Sequence, residues 1–361
     1  MKDRILSVDI FRGMTIVLMI LVNTPGTWSA VYPPLRHAQW HGYTPTDLVF
    51  PFFLFIVGTS IVFAYKNKAI DSGTYKKITI RTLKLIGLGL FLGAFTLSFP
   101  FIKDFADIRF PGVLQRIGVV FFFASILFIN LNWKVLVGLA VVLLVGYWLL
   151  MGFIPVNGME STLERAPNNL ANYVDVQVFG SHNYKEDYDP EGLLSTIPAI
   201  VSSLLGIFTG LILTSKQPKK ATILMGIGGT LLIVGYLWDL VFPINKALWT
   251  SSFVLVTAGW ANLILALIYY LTDIKGITFG SIFRYAGANA IILYFLSSFI
   301  SKILGMIKVG DTSLHGWLFD TIYVHDFMSL ELSSLLYGLT VVAFYCLLAY
   351  ILYQRKIFIK V

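Results

Sequence analysis

Residues 134–154 read KVLVGLAVVLLVGYWLLMGFI, and Lys134 at its edge is the one charge in the run. A helix rising 1.5 Å per residue needs about 20 apolar residues to cross a hydrocarbon layer of roughly 30 Å. This run is long enough and too apolar to face water along its length. The rest of the chain agrees: 57% of its 361 residues are hydrophobic and 13% are charged, with a mean hydropathy of +0.78. Soluble domains carry about a quarter charged residues, so an ordinary soluble globule is excluded. Disorder is excluded too, because 29 Phe, 18 Tyr and 8 Trp cannot stay solvated.

Ten segments read as spans: 6–24, 46–65, 78–98, 111–130, 134–154, 193–214, 221–242, 249–271, 283–303 and 332–353. The expected fold class is all-α, a polytopic membrane protein of about ten transmembrane helices. An even number puts both termini on one side. With the termini in the cytoplasm, most of the 27 basic residues fall on the inner side, among them Lys2, Arg4, Lys77, Arg81, Lys84 and Lys220, and most of the 19 acidic ones fall outside. That is the positive-inside pattern, so the chain reads N-in, C-in. No small-residue cleavage site follows the first run, which is expected to remain as an anchor.

The expected outer loops 25–45, 155–192 and 304–331 are long, and long loops in compact proteins are usually functional or mobile. One transmembrane domain, 1–361, is expected, with 155–192 an extracytoplasmic loop inside it. Five spans on each side of that loop suggest two five-helix halves in inverted orientation, although no sequence echo joins them. Gly89-x-x-x-Gly93 and Gly206-x-x-x-Gly210 fit close helix packing. The single Cys346 reads as a packing residue.

Polar groups at membrane depth are costly and mark function. Their densest group surrounds the first outer loop: Asn23 at the end of span one, Arg36-His37-Ala38-Gln39-Trp40-His41-Gly42 after it, and Thr44-Pro45-Thr46-Asp47 opening span two. Asp47 suits a helix N-cap, and equally an acid that orients a histidine. His37 and His41 with Asp47 allow a zinc reading, but their loop context favours acid–base chemistry, with no metal. Gln115-Arg116, Asn245-Lys246, Trp249, Ser252, Arg284, Asn289 and Tyr294 are further polar or aromatic positions at span ends or within spans. The 155–192 loop is acidic and rich in Asn and Tyr, which suits either sugar contacts or plain solvation.

Six stretches together resemble the heparan-α-glucosaminide N-acetyltransferase family. They are Leu6-Ser7-Val8-Asp9-Ile10-Phe11-Arg12-Gly13; Val22-Asn23; His37-Ala38-x-Trp40-x-Gly42-x-Thr44-x-x-Asp47-Leu48-Val49-Phe50-Pro51; Pro111-Gly112-Val113-Leu114-Gln115-Arg116-Ile117; Asp189-Pro190-Glu191-Gly192-Leu193-Leu194-Ser195-Thr196; and Asn245-Lys246-x-Leu248-Trp249-Thr250-x-Ser252. The resemblance implies a bacterial homologue that moves acetyl from cytoplasmic acetyl-CoA to an amino sugar or glycan, with its site opening to the extracytoplasmic side of the inner membrane. It implies the catalytic trio His37, Asn23 and Asp47, and donor-side roles for Arg116, Lys246, Trp249, Ser252 and Asn289. The inner lysines, Arg116 or Arg284 are expected to hold the phosphates of CoA. A homodimer is expected and nucleic acid is not, and the family's large lumenal N-terminal domain is expected to be absent. His37 serves either as general base or as an acetyl carrier; a sugar transporter or uptake accessory is the rival of another class, and a scaffold the third.

Overall fold

A computed structural model describes residues 5–359; Lys2, Asp3, Arg4 and Lys360, which the sequence places on the inner side, lie outside them. The helices in chain order are α1 (Leu6–Asn23), α2 (Val49–Tyr65), α3 (Ser72–Ala94), α4 (Val113–Asn130), α5 (Trp133–Phe153), α6 (Leu170–Phe179), α7 (Thr196–Leu213), α8 (Lys220–Asp239), α9 (Ser251–Tyr269), α10 (Ser281–Ala288), α11 (Ala290–Met306), α12 (Leu314–Ile322) and α13 (Leu330–Gln354). Side-chain caps start several of them. Asp71 accepts from the amide of Thr74 at 2.7 Å before α3, and Asn132 accepts from Lys134 and Val135 before α5. Each satisfies amide donors that a helix start leaves open.

Among the described residues eight helices are long and apolar enough to cross a membrane, and α10 and α11, bent by 82° at Asn289, are so as a pair. The chain is therefore an all-α, multi-pass membrane protein. The expected span 78–98 is the 23-residue α3, whose Lys76, Lys77, Arg81 and Lys84 keep it out of that apolar set. The expected span 283–303 is the bent pair. Two of the loops expected outside are less irregular than their sequences suggest: 155–192 contains α6, and 304–331 contains a short hairpin (Lys308–Val309 with Thr312–Ser313) and α12.

α1, α2, α7 and α9 form the buried centre, while α5, α8 and α13 leave most of their apolar surface on the outside, as lipid-facing helices do. Small residues let the central helices touch through backbone. A Cβ on Gly206 of α7 would stand 1.9 Å from the carbonyl oxygen of Phe55 in α2, and one on Gly58 would stand 1.8 Å from that of Ser203. Thr59 Oγ1 donates to the Gly206 carbonyl at 3.1 Å, and Ser203 Oγ to that of Leu54 at 2.8 Å. The second glycine motif pairs Gly206 with Gly210, which lies against Val62 and Thr59. Gly89 instead makes room for the Gln115 side chain. Cys346 is half-buried in α13 and free of any disulfide.

Candidate active site

The chain between α1 and α2 folds back on itself. Pro33–Leu35 and Pro45–Leu48 form short 3-10 turns. Thr44 Oγ1 donates to the Arg36 carbonyl at 2.6 Å and Thr46 Oγ1 to that of Pro34 at 3.1 Å. Asp47, with a side chain only 1% exposed, sits at the centre of this fold-back. Its Oδ2 accepts from the amides of Ala38 (3.0 Å) and Thr44 (2.9 Å) and from Thr44 Oγ1 (3.2 Å). Its Oδ1 lies 2.6 Å from His37 Nδ1. The carboxylate thus closes a turn and orients an imidazole at once. With the Nδ1 proton held by Asp47, the Nε2 lone pair is left to act as a base, on a side chain 46% exposed.

The third member comes from the far end of the sequence. The amide of Gly42 donates to the Ile244 carbonyl at 2.7 Å, and Gly42 pairs with Asn245 in an isolated bridge. Asn245 is fully buried; its Oδ1 accepts from the amide of Leu248 and its own amide donates to Thr250 Oγ1. This tight turn delivers Lys246 Nζ to within 2.9 Å of His37 Nδ1, 3.3 Å of Nε2 and 3.3 Å of Asp47 Oδ1. Burial pushes the Lys246 ammonium below the usual lysine range, against the opposing charges of Asp47 and Glu191. His41 turns elsewhere: its Nε2 meets Glu164 Oε1 at 3.1 Å.

These groups line a cavity of about 320 Å³ with Asn23, Gln39, Trp40, Phe50, Tyr184, Tyr188, Glu191 and Arg109. Asn23 is exposed and lines it. The wall opposite comes from the 155–192 loop. Asp189 gathers it, accepting from the amides of Tyr184 (2.7 Å) and Glu191 (2.8 Å) and from Arg109 Nε (2.8 Å). Arg109 also pairs with Glu191 and lies over the Tyr184 ring, 4.8 Å from its centroid. Behind it, burial pushes the Asp175 carboxyl up to about 7; its Oδ1 accepts from the Leu193 amide at 2.7 Å.

A second, basic cavity of about 600 Å³ lies at the other end of α1 and α2, lined by Arg12, Ser60, Lys77, Arg81, Lys84, Phe53, Phe121 and Asn289. Lys77, Arg81 and Lys84 share one face of α3 by their i, i+4, i+7 spacing. Arg81 Nε is buried without a hydrogen-bond partner among the described residues, and its guanidinium lies 4.5 Å from the Phe121 centroid. Phe50 borders the histidine cavity and Phe53 the basic one. These two phenylalanines are three positions apart on α2, about 4.5 Å of rise. Along α1 the gap from Arg12 to Met19 is about 10 Å.

The structure brings His37, Asn23, Asp47 and Lys246 into one cavity. Arg116, Trp249 and Ser252 line neither. Arg116, 2% exposed, donates to the Gly192 carbonyl at 2.9 Å and to Ser195 Oγ, and lies over the Trp249 ring at 5.1 Å. Trp249 takes a positive φ of 52°, donates Nε1 to Ser202 Oγ and packs edge-on to Phe50 at 5.2 Å. Ser252 donates to the Phe242 carbonyl. These three brace the cavity from behind. Asn289 lines the basic cavity at the α10–α11 bend and holds the tail, donating to the Ile357 carbonyl and accepting from the Ile359 amide. Arg284 lies nearby over Tyr285 and Tyr353. Sequence reasoning missed Arg109 as a wall residue; as one of nine basic residues expected on the outer side it carried no distinguishing signal. It counted Lys77, Arg81 and Lys84 as inner charges without reading their shared helix face.

The fold and the site define a multi-pass helical membrane protein with a His–Asp–Lys cluster in one cavity and a basic cavity at the opposite end of the same helices. Residues 4–238 match the family described as heparan-alpha-glucosaminide N-acetyltransferase, catalytic, and the chain belongs to that family. It is 30% identical to heparan-alpha-glucosaminide N-acetyltransferase of Homo sapiens over 424 residues, covering 100% of this chain and 60% of that protein. The Mus musculus protein of the same name is 30% identical over 422 residues, covering 99% of this chain and 61% of its own length. The chain therefore spans about 60% of the length of the curated relatives it matches.

Proposed function

We propose that the chain is a transmembrane acetyltransferase that passes acetyl from acetyl-CoA in the basic cavity to the amine of an amino sugar or glycan in the histidine cavity. The observation carrying this reading is the 2.6 Å contact between His37 Nδ1 and Asp47 Oδ1 in a cavity that shares α1 and α2 as walls with a basic one. The phosphates of CoA cannot enter hydrocarbon. Arg12, Lys77, Arg81 and Lys84 hold them on the lysine-rich, cytoplasmic side, with Asn289 and Arg284 near the mouth. The narrow pantetheine arm passes Phe50 and Phe53 and presents its thioester to His37 on the extracytoplasmic side.

His37 Nε2 takes the proton as the amine attacks, Asp47 supports the resulting imidazolium, and Asn23 holds the acceptor or the carbonyl. This general-base role needs no acetyl-imidazole facing water. An acetyl-enzyme trapped by rapid quench without acceptor would replace it with the carrier role. Acetyl transfer is read directly as CoA release by the detergent-purified protein across a panel of amino sugars, with His37→Ala beside it. Release that requires both the sugar and His37 supports the reading. Absence of both release and acetyl-CoA binding sinks it in favour of a transporter. The same site opens outward from an inner membrane, and a homodimer is the proposed assembly.

A further inference from the structure

Lys246 is the one cation within reach of both His37 ring nitrogens among the described residues, and its side chain is 19% exposed in the histidine cavity. It lines the histidine cavity and not the basic one, so contact with the phosphates of CoA is not its part. We infer that Lys246 is the oxyanion donor of this site: its ammonium binds the oxygen on which negative charge develops when the carbonyl is attacked. The inference rests on the acetyl-transfer reading and deepens it.

A nucleophile that gives its proton to Nε2 must sit about 3 Å from that nitrogen. The carbonyl carbon it attacks is then one bond further on, and the carbonyl oxygen one bond beyond that. Nζ lies 3.3 Å from Nε2, so a single carbonyl oxygen can be within hydrogen-bond reach of Nζ while the nucleophile is within reach of Nε2. The ammonium is fixed beforehand by Asp47 Oδ1 at 3.3 Å and by the Gly42–Asn245 bridge beneath it. Preorganised donors of this kind cost no reorganisation at the moment of reaction.

The step balances. The amine nitrogen bonds to the thioester carbon, its proton passes to Nε2, and the carbonyl π pair moves onto the oxygen facing Lys246. Collapse returns that pair to the carbonyl, breaks the carbon–sulfur bond, and gives the proton from Nε2 to the departing thiolate. Amide and CoA thiol leave, and His37 is neutral again.

The test uses the full chain in detergent and p-nitrophenyl acetate, an activated ester that needs the base and the oxyanion donor but no CoA cavity. Lys246→Met should lower kcat about 100-fold, as loss of one oxyanion donor does, and Lys246→Arg should recover most of it. The affinity for acetyl-CoA, measured by calorimetry, should stay within about twofold in both variants, which a donor-binding role would not allow. Wild-type ester turnover no faster than His37→Ala overturns the inference. So does a Lys246→Met variant that hydrolyses like wild type, or one whose only defect is weaker acetyl-CoA binding. Failure of Lys246→Arg to recover kcat, with melting temperatures unchanged, also overturns it. The two readings fail separately: ester turnover that depends on Lys246 without transfer to any amine sinks acetyl transfer alone, whereas sugar acetylation that survives Lys246→Met sinks only the role of Lys246.

Discussion

His37 and Lys246 are separated by 209 positions in the chain and by 2.9 Å in space. Two loops at the same end of the bundle, locked by the Gly42–Asn245 bridge, bring them together, with Asp47 touching both.

Asp47 has two jobs that different substitutions separate. Asp47→Asn keeps an acceptor for the Thr44 and Ala38 amides but no longer holds the imidazole in one tautomer. Turnover should fall by about 10²–10⁴ with a small change in melting temperature. Asp47→Ala leaves buried amides unpaired and should lower stability as well, by about 1–3 kcal/mol. Paired kinetics and thermal melts check this; equal activity in the Asn variant and wild type would remove Asp47 from the mechanism.

Phosphate recognition is expected to reside in the basic cavity. Arg81→Gln should raise KM for acetyl-CoA about tenfold, the equivalent of about 1.4 kcal/mol, and leave KM for acetyl-pantetheine, which lacks the phosphates, unchanged. A parallel rise with both donors would mean a packing defect.

Burial lowers the pKa of the Lys246 ammonium, while Asp47 and Glu191 oppose that shift and His37 faces it directly. The protonated form is the active one, so kcat should fall as pH rises, with a limb below the usual lysine value of about 10.4. Lys246→Arg should move that limb to higher pH. A pH–rate profile from neutral to alkaline pH decides the point, and a limb unmoved by the Arg variant would assign it to another group.

Asp175 links stability to pH. Burial raises its pKa to about 7 in the folded chain, so the folded state binds more protons than the unfolded state between about pH 4 and that value. Stability from this group therefore decreases as pH rises through that window. Asp175→Asn, which can still accept from the Leu193 amide, should flatten this part of the melting-temperature profile and gain most above neutrality. An unchanged slope in the variant would place the carboxyl in an ordinary environment.

Backbone contact between α2 and α7 sets a further expectation. A Cβ on Gly206 meets the Phe55 carbonyl at 1.9 Å, whereas one on Gly146 meets nothing within 4 Å. Gly206→Ala should reduce the yield of monodisperse protein sharply. Gly146→Ala should be neutral or stabilising by up to about 1 kcal/mol. Size-exclusion profiles and melts in one detergent compare the two.

Much of the fold was legible because hydrocarbon imposes a length and a composition on each span, as 134–154 shows. The bend at Asn289 was not, since a single Gly287 and a single Asn289 inside a run of helix length do not by themselves mark a break. The cluster of His37, Asn23 and Asp47 was legible as polar groups crowded at a membrane boundary. Arg116, Trp249 and Ser252 share the same polar or aromatic character, yet their side chains end in a buried brace. Composition does not tell a group facing a cavity from one satisfied behind it.

The sequence by itself determined the solvent of this protein, the approximate spans and the first-loop site, because burial in lipid and local spacing act on neighbouring residues. Tertiary structure alone decided that Lys246 stands on His37, that Lys77, Arg81 and Lys84 face a cavity with Arg12, and that α1 and α2 line both cavities. Those relationships depend on how helices far apart in the chain pack through glycine contacts and loop bridges, and no local pattern records that distance.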